Sequence, residues 1–243
     1  MFLKVLLLVP LFAFTAFGAV AQTAPQALSS DEREFLGKNP ILYSFLEKEI
    51  WPSESQIRTA LESSLPAIQE QNPCAEMEVR SFGPLGYGML DGNLAPLIAG
   101  GRIKMAWLVD VMIGGCGEEN PYRFILLQMP DDSYSSLVGS KGRTHAWPKL
   151  IKDAMMTVYG AVTLATHGQD CPVNAENFEI GPFAIKDDDS IGPYLFGVRY
   201  TGSWEEVWKI RVCETMVSVP VTFRADGQGG AYINVSQDDV TTE

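Results

Sequence analysis

The chain has 243 residues, 46% of them apolar, and a formal net charge of −12 at neutral pH. This composition is typical of a globular protein and excludes both a disordered chain and a protein with many membrane spans. Lys and Arg are not concentrated in any stretch, which excludes the basic surface of a nucleic-acid-binding protein. The only histidines are His145 and His167, too few for a histidine-rich metal centre.

The first 21 residues have the pattern of a secretory signal peptide. Lys4 supplies a positive charge, residues 5–17 are almost wholly apolar, and residues 19–21 read Ala-Val-Ala, the small-residue pattern that signal peptidase accepts. A transmembrane anchor is the alternative, but the apolar run is shorter than the roughly 20 residues that span a bilayer. We therefore expect cleavage after Ala21, no transmembrane segment in the mature chain, and a bacterial protein that is periplasmic or secreted.

Residues 22–50 are predicted to form an N-terminal helical extension. Ser29 and Glu32 are suited to cap a first helical turn, Asn39-Pro40 interrupts it, and an amphipathic second piece follows. We expect this extension to pack against one half of the molecule, although it could instead bind a partner.

The four cysteines are expected to form disulfides, because the chain is exported. None of them belongs to a C-x-x-C pair, and four cysteines allow three pairings. Cys74 and Cys116 are separated by 42 residues, as are Cys171 and Cys213, and the two pairs are offset by 97. This equal spacing predicts the bonds Cys74–Cys116 and Cys171–Cys213.

The same offset relates other rare residues, which indicates an internal repeat. Adding 97 to Trp107 gives Trp204, and adding 97 to Arg102 gives Arg199. With a shift of one residue, two dipeptides also match: Trp51-Pro52 with Trp147-Pro148, and Gly83-Pro84 with Gly181-Pro182. The sequence therefore predicts a tandem duplication, with a first copy at 51–138, a linker at 139–146, a second copy at 147–236 and a frayed polar tail at 237–243.

Each copy is predicted to contain one helix followed by about four antiparallel strands. Apolar residues at helical spacing mark the helices: Ile57, Leu61, Leu65 and Ile68, then Ala154, Val158, Val162 and Ala165. Ser53 and Gln56 predict a capping box for the first helix, and Pro148 suits the start of the second. Alternating apolar residues from Ile103 and from Val198 predict long strands. The fold class is therefore α+β, and the element order is similar to that of cystatin-like and NTF2-like domains.

The second long strand also begins a pattern of tryptophan, glutamate and cysteine residues at fixed spacing. Trp204, Glu206, Trp208 and Cys213 form a W-x-E-x-W-x4-C pattern. This pattern resembles the C-terminal region of uncharacterised exported bacterial proteins over about thirty residues. The resemblance implies export and carries no activity, cofactor or substrate.

The candidate binding residues are Arg199, Trp204, Glu206 and Trp208. The second copy carries aromatic and charged residues on this strand, where the first copy has aliphatic Leu108, Val109 and Val111. Aromatic rings can stack on a ligand, and Arg or Glu can pair with its charges. Because ligand pockets favour positions between domains, we expect the site at the junction of the two copies.

No motif of a nucleophilic enzyme is present, and no cofactor or metal site is predicted. The acidic run 187–189, in particular, lacks the spacing of a calcium loop. The sequence therefore favours a non-catalytic protein that binds an unidentified protein or small ligand in the cell envelope or outside it. One alternative is an exported hydrolase that uses Asp110, Glu118 or Glu206 in a cleft between the copies. Another is a protease-inhibitor-like pair of domains, by analogy of fold alone.

Overall fold

A computed structural model gives the structure of residues 30–38, 51–71, 74, 76–83, 85–87, 93–168, 171–195 and 198–243. The predicted signal peptide lies outside the described residues, as does most of the predicted N-terminal extension. Within that extension, helix α1 occupies Ser30–Lys38.

The elements that follow are mixed helices and antiparallel strands. The helices are α2 (Glu54–Glu62), α3 (Leu65–Gln71), α4 (Ala95–Ala99) and α5 (Pro148–Ala165), with a 3₁₀ turn at Gln237–Asp239. The first six strands are β1 (Glu78–Phe82), β2 (Gly86–Tyr87), β3 (Met105–Gly115), β4 (Glu118–Gln128), β5 (Tyr134–Lys141) and β6 (Phe178–Asp187). The remaining strands are β7 (Tyr194–Leu195), β8 (Val198–Arg199), β9 (Ser203–Val212), β10 (Thr215–Ala225), β11 (Ala231–Asn234) and β12 (Thr241–Thr242). The predicted α+β class agrees with this mixture.

The helix starts follow the predicted local signals. The Gln56 amide donates to Ser53 Oγ at 3.3 Å, and the Ser53 amide donates to Gln56 Oε1 at 2.7 Å, which is the predicted capping box. Helix α5 begins at Pro148. The first predicted helix differs in being broken between α2 and α3, where the Ser64 hydroxyl donates to the backbone oxygen of Ser136 at 2.8 Å. The neighbouring Ser63 hydroxyl donates to the Ala60 carbonyl at 2.7 Å, a local side-chain bond of the kind that competes with helical hydrogen bonding.

Two five-stranded antiparallel sheets share the order of their four main strands and differ in where the fifth is attached. The first sheet runs β1-β3-β4-β5, with β2 attached to β3, and the second runs β6-β9-β10-β11, with β12 attached to β10. Helices α2 and α3 pack on the first sheet, and α5 packs on the second, each over an apolar core of its own. A third cluster, under α4, lies on the opposite face of the first sheet and includes Leu94, Ala106 and Leu108.

The register of the two sheets is also the same. Trp107 lies opposite Leu126, and Trp204 lies opposite Phe223, so that adding 97 to each member of the first pair gives the second. This relation holds along both hairpins. A β-bulge interrupts the pairing of β1 with β3 after the first two paired residues of β1. Another interrupts the pairing of β6 with β9 after the first three paired residues of β6. Bulges are specific features of a sheet, and here they occupy matching positions.

The bulges also correct one of the predicted equivalences. Phe82 lies opposite Val111, and Phe183 lies opposite Trp208, so Phe82 corresponds to Phe183. Gly181 therefore lies inside the bulged strand, whereas Gly83 follows the end of β1. The predicted match of Gly83-Pro84 with Gly181-Pro182 does not fit this register.

The tryptophans pair in the same way in both halves. The rings of Trp51 and Trp107 lie 6.3 Å apart, and so do those of Trp147 and Trp204. The disulfides join Cys74 to Cys116 and Cys171 to Cys213, with Cα atoms 5.9 and 6.6 Å apart. This is the pairing that the equal spacing predicts.

Three further details differ from the predicted elements. The strand predicted from Val198 to Val212 is interrupted, because Gly202 has a φ of +88° and its neighbours leave no space for a Cβ atom. Strand β5 continues to Lys141, three residues into the predicted linker. The tail at 237–243 is paired rather than frayed, since Thr242 lies opposite Val217 in β10.

Candidate functional site

Three of the four predicted site residues lie in the core of the second half. Trp208 and Glu206 are fully enclosed, and Trp204 is 2% exposed. Trp208 stacks on Phe183 with ring centroids 4.5 Å apart, and Trp204 stacks on Phe223 at 5.0 Å. These side chains therefore contact one another and the core, and they do not reach the surface to contact a ligand directly.

The Glu206 carboxylate anchors the segment that connects the halves. Its Oε1 accepts from the backbone amides of His145 (2.7 Å) and Ala146 (3.2 Å), and its Oε2 accepts from the Thr144 hydroxyl (2.7 Å). The indole N–H groups of Trp204 (3.0 Å) and Trp208 (2.8 Å) complete the set. Five donors around a buried carboxylate compensate for its loss of water, which makes the charge tolerable there.

The first half lacks this arrangement. Val109 holds the position equivalent to Glu206 and is buried. The indole nitrogen of Trp107, which is equivalent to Trp204, has no hydrogen-bond partner among the described residues. Of the two equivalent positions, only Glu206 in the second half provides a polar anchor for the connecting segment.

Arg199 contacts His145 in the wall of an opening between the halves but does not itself line that opening. It belongs to the short hairpin β7–β8, and its guanidinium lies 4.9 Å from the centre of the Tyr194 ring. Its Nη1 donates to the Gly192 carbonyl at 2.6 Å, and its Nη2 lies 3.2 Å from His145 Nδ1. Arg102, its counterpart in the sequence repeat, is exposed in the turn after α4.

His145 links Arg199 to an acidic residue of the second half. Its Nε2 lies 2.9 Å from Asp188 Oδ2. The arrangement fits a neutral ring that carries its proton on Nε2, donates to Asp188 and accepts from Arg199 at Nδ1. Asp188 therefore orients the histidine, and the histidine orients the arginine.

Arg123 lines the opening, and the sequence did not predict it as a site residue. It lies directly opposite Asp110 in the pairing of β3 with β4. Its Nε and Nη2 donate to the two oxygens of Asp110 at 2.7 and 3.1 Å, a bidentate ion pair. The Arg123 side chain is 13% exposed, whereas Asp110 is 68% exposed, so the cation is enclosed beneath its partner.

The opening is a cleft of about 380 Å³ between the two halves, which we call the inter-sheet cleft. One wall comes from β1, β3 and β4 and includes Asp110, Met112 and Arg123. The other comes from residues 142–145 and from Ile185 of β6. The walls are joined at Gly142, which forms an isolated parallel β-bridge with Phe183. The Arg143 amide donates to the Phe183 carbonyl at 2.8 Å.

Burial and neighbouring charges affect the two arginines differently. Burial lowers the pKa of Arg199, and the nearby charge of Arg123 lowers it further, against a weaker raising effect of Tyr194 and Asp188. Burial would also lower the pKa of Arg123, but Tyr194, Asp110 and Glu206 outweigh it and raise the pKa. Arg123 therefore has compensating anions, while Arg199 depends mainly on neutral acceptors.

The carboxylates of the alternative hydrolase do not meet in this cleft. Asp110 is held by Arg123, Glu206 is enclosed in the core, and Glu118 is exposed at the start of β4. The part of the chain that the structure describes contains no group of three or more His, Cys, Asp or Glu residues that could hold a metal ion. The charged and polar groups that line the cleft are the Asp110–Arg123 ion pair, Arg143, Thr144 and His145.

No helix in the described ranges is long and apolar enough to cross a membrane. Comparisons of the chain with protein-family models, with curated proteins and with solved structures give no match.

Proposed function

We propose that this chain is an exported, disulfide-bonded binding protein that arose by duplication of a helix-and-sheet unit and binds a ligand in the inter-sheet cleft. The duplication is supported by the shared strand order, the register related by 97 residues and the matching bulges. Export is supported by the N-terminal pattern and by two disulfides.

The cleft itself is the observation that carries the binding function. Its volume lies in the range of small-molecule sites, and residues from both halves form its walls. Neither half alone would produce it. The enclosed residues Trp204, Glu206 and Trp208 support the wall from behind, and Arg199 reaches the wall only through its contact with His145.

A hydrolase that uses Asp110, Glu118 and Glu206 has less support, because these carboxylates are separated and two of them have structural partners. Among the residues that the structure describes, no feature favours a protease-inhibitor loop.

The binding function can be tested with a matched pair of substitutions on β6. Ile185 lines the cleft, and Ile180 on the same strand is 45% exposed and does not line it. We expect a library of neutral, cationic and anionic small molecules to include members that shift the amide NMR signals of cleft residues. Ile185→Trp should abolish these shifts by filling the cleft, and Ile180→Trp should preserve them. A library with no member that shifts the cleft signals would contradict the proposed function.

Export has a separate test. The mature protein recovered from outside the cytoplasm should begin at Gln22, which intact-mass measurement would establish. A mature chain that retains residues 1–21 would contradict the predicted cleavage.

A further inference from the structure

We propose that two copies of this chain pair through the exposed face of helix α5, antiparallel and related by a two-fold axis at Gly160. This face, which we call the α5 stripe, consists of Met156, Thr157, Gly160, Thr163 and Leu164, all of which are exposed. None of them lines the inter-sheet cleft, so the inference goes beyond the proposed function and does not depend on it.

The α5 stripe lies on the side of the helix that points away from the protein. On the opposite side, Ala154, Val158 and Val162 are fully enclosed in the core of the second half. The members of the stripe recur at spacings of three and four residues, which places them together on one helix face. Met156 is 80% exposed and Leu164 is 64% exposed, so two large apolar side chains of this face lie in solvent.

An outward helix face normally carries charged side chains, and this one does not. The sequence has no Asp, Glu, Lys or Arg from residue 154 to residue 168. In α2, which packs on the first sheet, Arg58 and Glu62 hold the positions that the 97-residue offset relates to Met155 and Tyr159. A helix that is apolar on both sides is typical of one that is covered on both sides.

The sequence around Gly160 is complementary to itself when its direction is reversed. A two-fold axis at Gly160 places Met156 of one copy against Leu164 of the other, since each lies four residues from the glycine. Thr157 likewise meets Thr163 at a distance of three residues. A two-fold interface requires this property, because the same patch serves both copies. The second copy is therefore the occupant that the α5 stripe fits.

Gly160 allows the two helices to approach closely. A Cβ atom at this position would have open space around it, with nothing within 4 Å in the described part of the chain beyond the helix backbone. Glycine inside a helix costs about 0.5–1 kcal/mol relative to alanine. Its own core does not require this glycine, whereas a second helix does, because the distance between two helices depends on the side chains at their contact.

Polar groups at the two ends of the stripe specify the antiparallel direction. Asp153 and His167 lie seven residues to either side of Gly160, and both are exposed. The two-fold axis brings the Asp153 carboxylate of one copy to the imidazole of the other, which carries an N–H donor in either tautomer. A parallel pair would instead bring the two Asp153 carboxylates together, and like charges repel.

The expected dimer is weak, because one helix from each copy forms it. Standard interfaces bury about 1,200–2,000 Å², and transient ones bury less. We expect a dissociation constant of about 10–100 µM, which corresponds to about −7 to −5.5 kcal/mol.

Sedimentation velocity of the mature protein from about 5 µM to about 1 mM measures this equilibrium. We expect the sedimentation coefficient to rise with concentration towards that of a dimer. Met156→Arg places two cations in the apolar contact and should raise the dissociation constant at least about tenfold. Thr59→Arg is the matched control, since Thr59 is related to Met156 by the offset of 97 and is exposed on α2. It should leave the association unchanged.

Cysteine cross-linking tests the register. Gly160→Cys should form a disulfide-linked dimer under mild oxidation, because the axis brings residue 160 of both copies together. Thr59→Cys is the control for random collisions and should cross-link much more slowly. In a mixture of Met156→Cys and Leu164→Cys chains, the mixed dimer should form faster than either dimer of like chains.

Several results would overturn the inference. A wild-type chain that stays monomeric up to about 1 mM would do so, as would equal association of Met156→Arg and Thr59→Arg. Contacts of the Met156 methyl group with residues 39–50 in a monomer, seen by NMR, would assign the α5 stripe to the N-terminal extension instead. If Met156→Arg fails to fold, cross-linking decides, and equal rates for Gly160→Cys and Thr59→Cys count against the dimer.

Discussion

At the scale of single residues, Glu206 shows how one buried side chain can hold a connecting segment in place. A carboxylate with five donors fixes residues 144–146 against the second core, whereas the equivalent Val109 fixes nothing comparable. The position of the wall formed by residues 142–145 therefore depends on Glu206, although Glu206 does not line the cleft.

Glu206→Gln should lower the free energy of unfolding by about 3 kcal/mol, because in either orientation the new amide NH₂ faces an indole N–H that needs an acceptor. The adjacent Glu205→Gln is the control, since Glu205 pairs with Lys186 at the surface (2.6 Å) and should cost less than about 1 kcal/mol. Urea denaturation measures both. Equal losses in the two variants would contradict the structural role of Glu206.

The equivalent tryptophans provide an internal comparison. Both Trp107→Phe and Trp204→Phe remove the same ring volume from a core, but only Trp204 loses a hydrogen bond to a carboxylate (3.0 Å). We expect Trp204→Phe to cost about 1.5–3 kcal/mol more than Trp107→Phe, as measured by chemical denaturation. A larger loss from Trp107→Phe would show that packing, and not the anchor, distinguishes the two sites.

The residues that sequence could identify were those with a rare type or a fixed spacing. Cysteine spacing predicted the disulfide pairing, and tryptophan spacing predicted the equivalence of Trp107 with Trp204 and of Trp51 with Trp147. Arg123 gave no such signal, because its significance arises from Asp110 on the opposite strand, and that pairing requires the register of β3 and β4. Glu206 was predicted to face a ligand because the second copy carries charged and aromatic residues on this strand. Its enclosure could not be predicted, since buried carboxylates are uncommon and its five donors come from three separate positions in the chain.

At the scale of elements, the joint between the sheets depends on a glycine. Gly142 has a φ of +87°, and a Cβ atom there would collide with the backbone of Phe183. The close approach allows β5 to continue into the bridge with β6 and so sets the separation of the cleft walls.

Gly142→Ala should therefore destabilise the protein by more than the conformational cost alone. Gly117→Ala is the matched control, since Gly117 has a similar φ of +82° and open space around it. The control should cost about 1 kcal/mol, and Gly142→Ala should cost about 1–3 kcal/mol more, the range for overpacking. Thermal unfolding of the two variants tests this, and similar losses would show that the joint can relax.

Periodicity predicted the long hairpins well, because alternation of apolar residues is strong in both β3 and β9. It could not detect the break at Gly202, since glycine at that position keeps the alternation intact while its positive φ turns the chain. The alternation therefore did not predict the hairpin β7–β8, to which Arg199 belongs. The paired tail was missed for a related reason, because short polar segments carry little strand signal.

At the scale of the whole molecule, the two halves share a register but differ in what they contribute to the cleft. The first half supplies Arg123 and Asp110 from its sheet, and the second supplies Ile185 of β6 and the Glu206 anchor of the connecting segment. Under the proposed duplication, a cleft at this junction requires no new fold, only divergence of two copies where they meet.

The equal separation of the cysteines leads to a quantitative prediction about the two disulfides. Each bond closes a loop with a sequence separation of 42 residues, so the chain-entropy contribution should be the same for both, about 4 kcal/mol. Cys116 and Cys213 also have nearly equal positive φ values, +52° and +53°, so alanine at either position adds the same backbone cost.

We therefore expect two double variants to lose similar free energy of unfolding in urea denaturation, within about 1 kcal/mol. They are Cys74→Ala with Cys116→Ala, and Cys171→Ala with Cys213→Ala. Local differences in packing should largely cancel, because both bonds join the hairpin turn to the segment before the first strand of the same sheet. Peptide mapping of the unreduced wild type provides the control on pairing. A peptide that links Cys74 to Cys171 would contradict the inherited pairing, and a loss confined to one pair would show that the two units no longer unfold as equivalents.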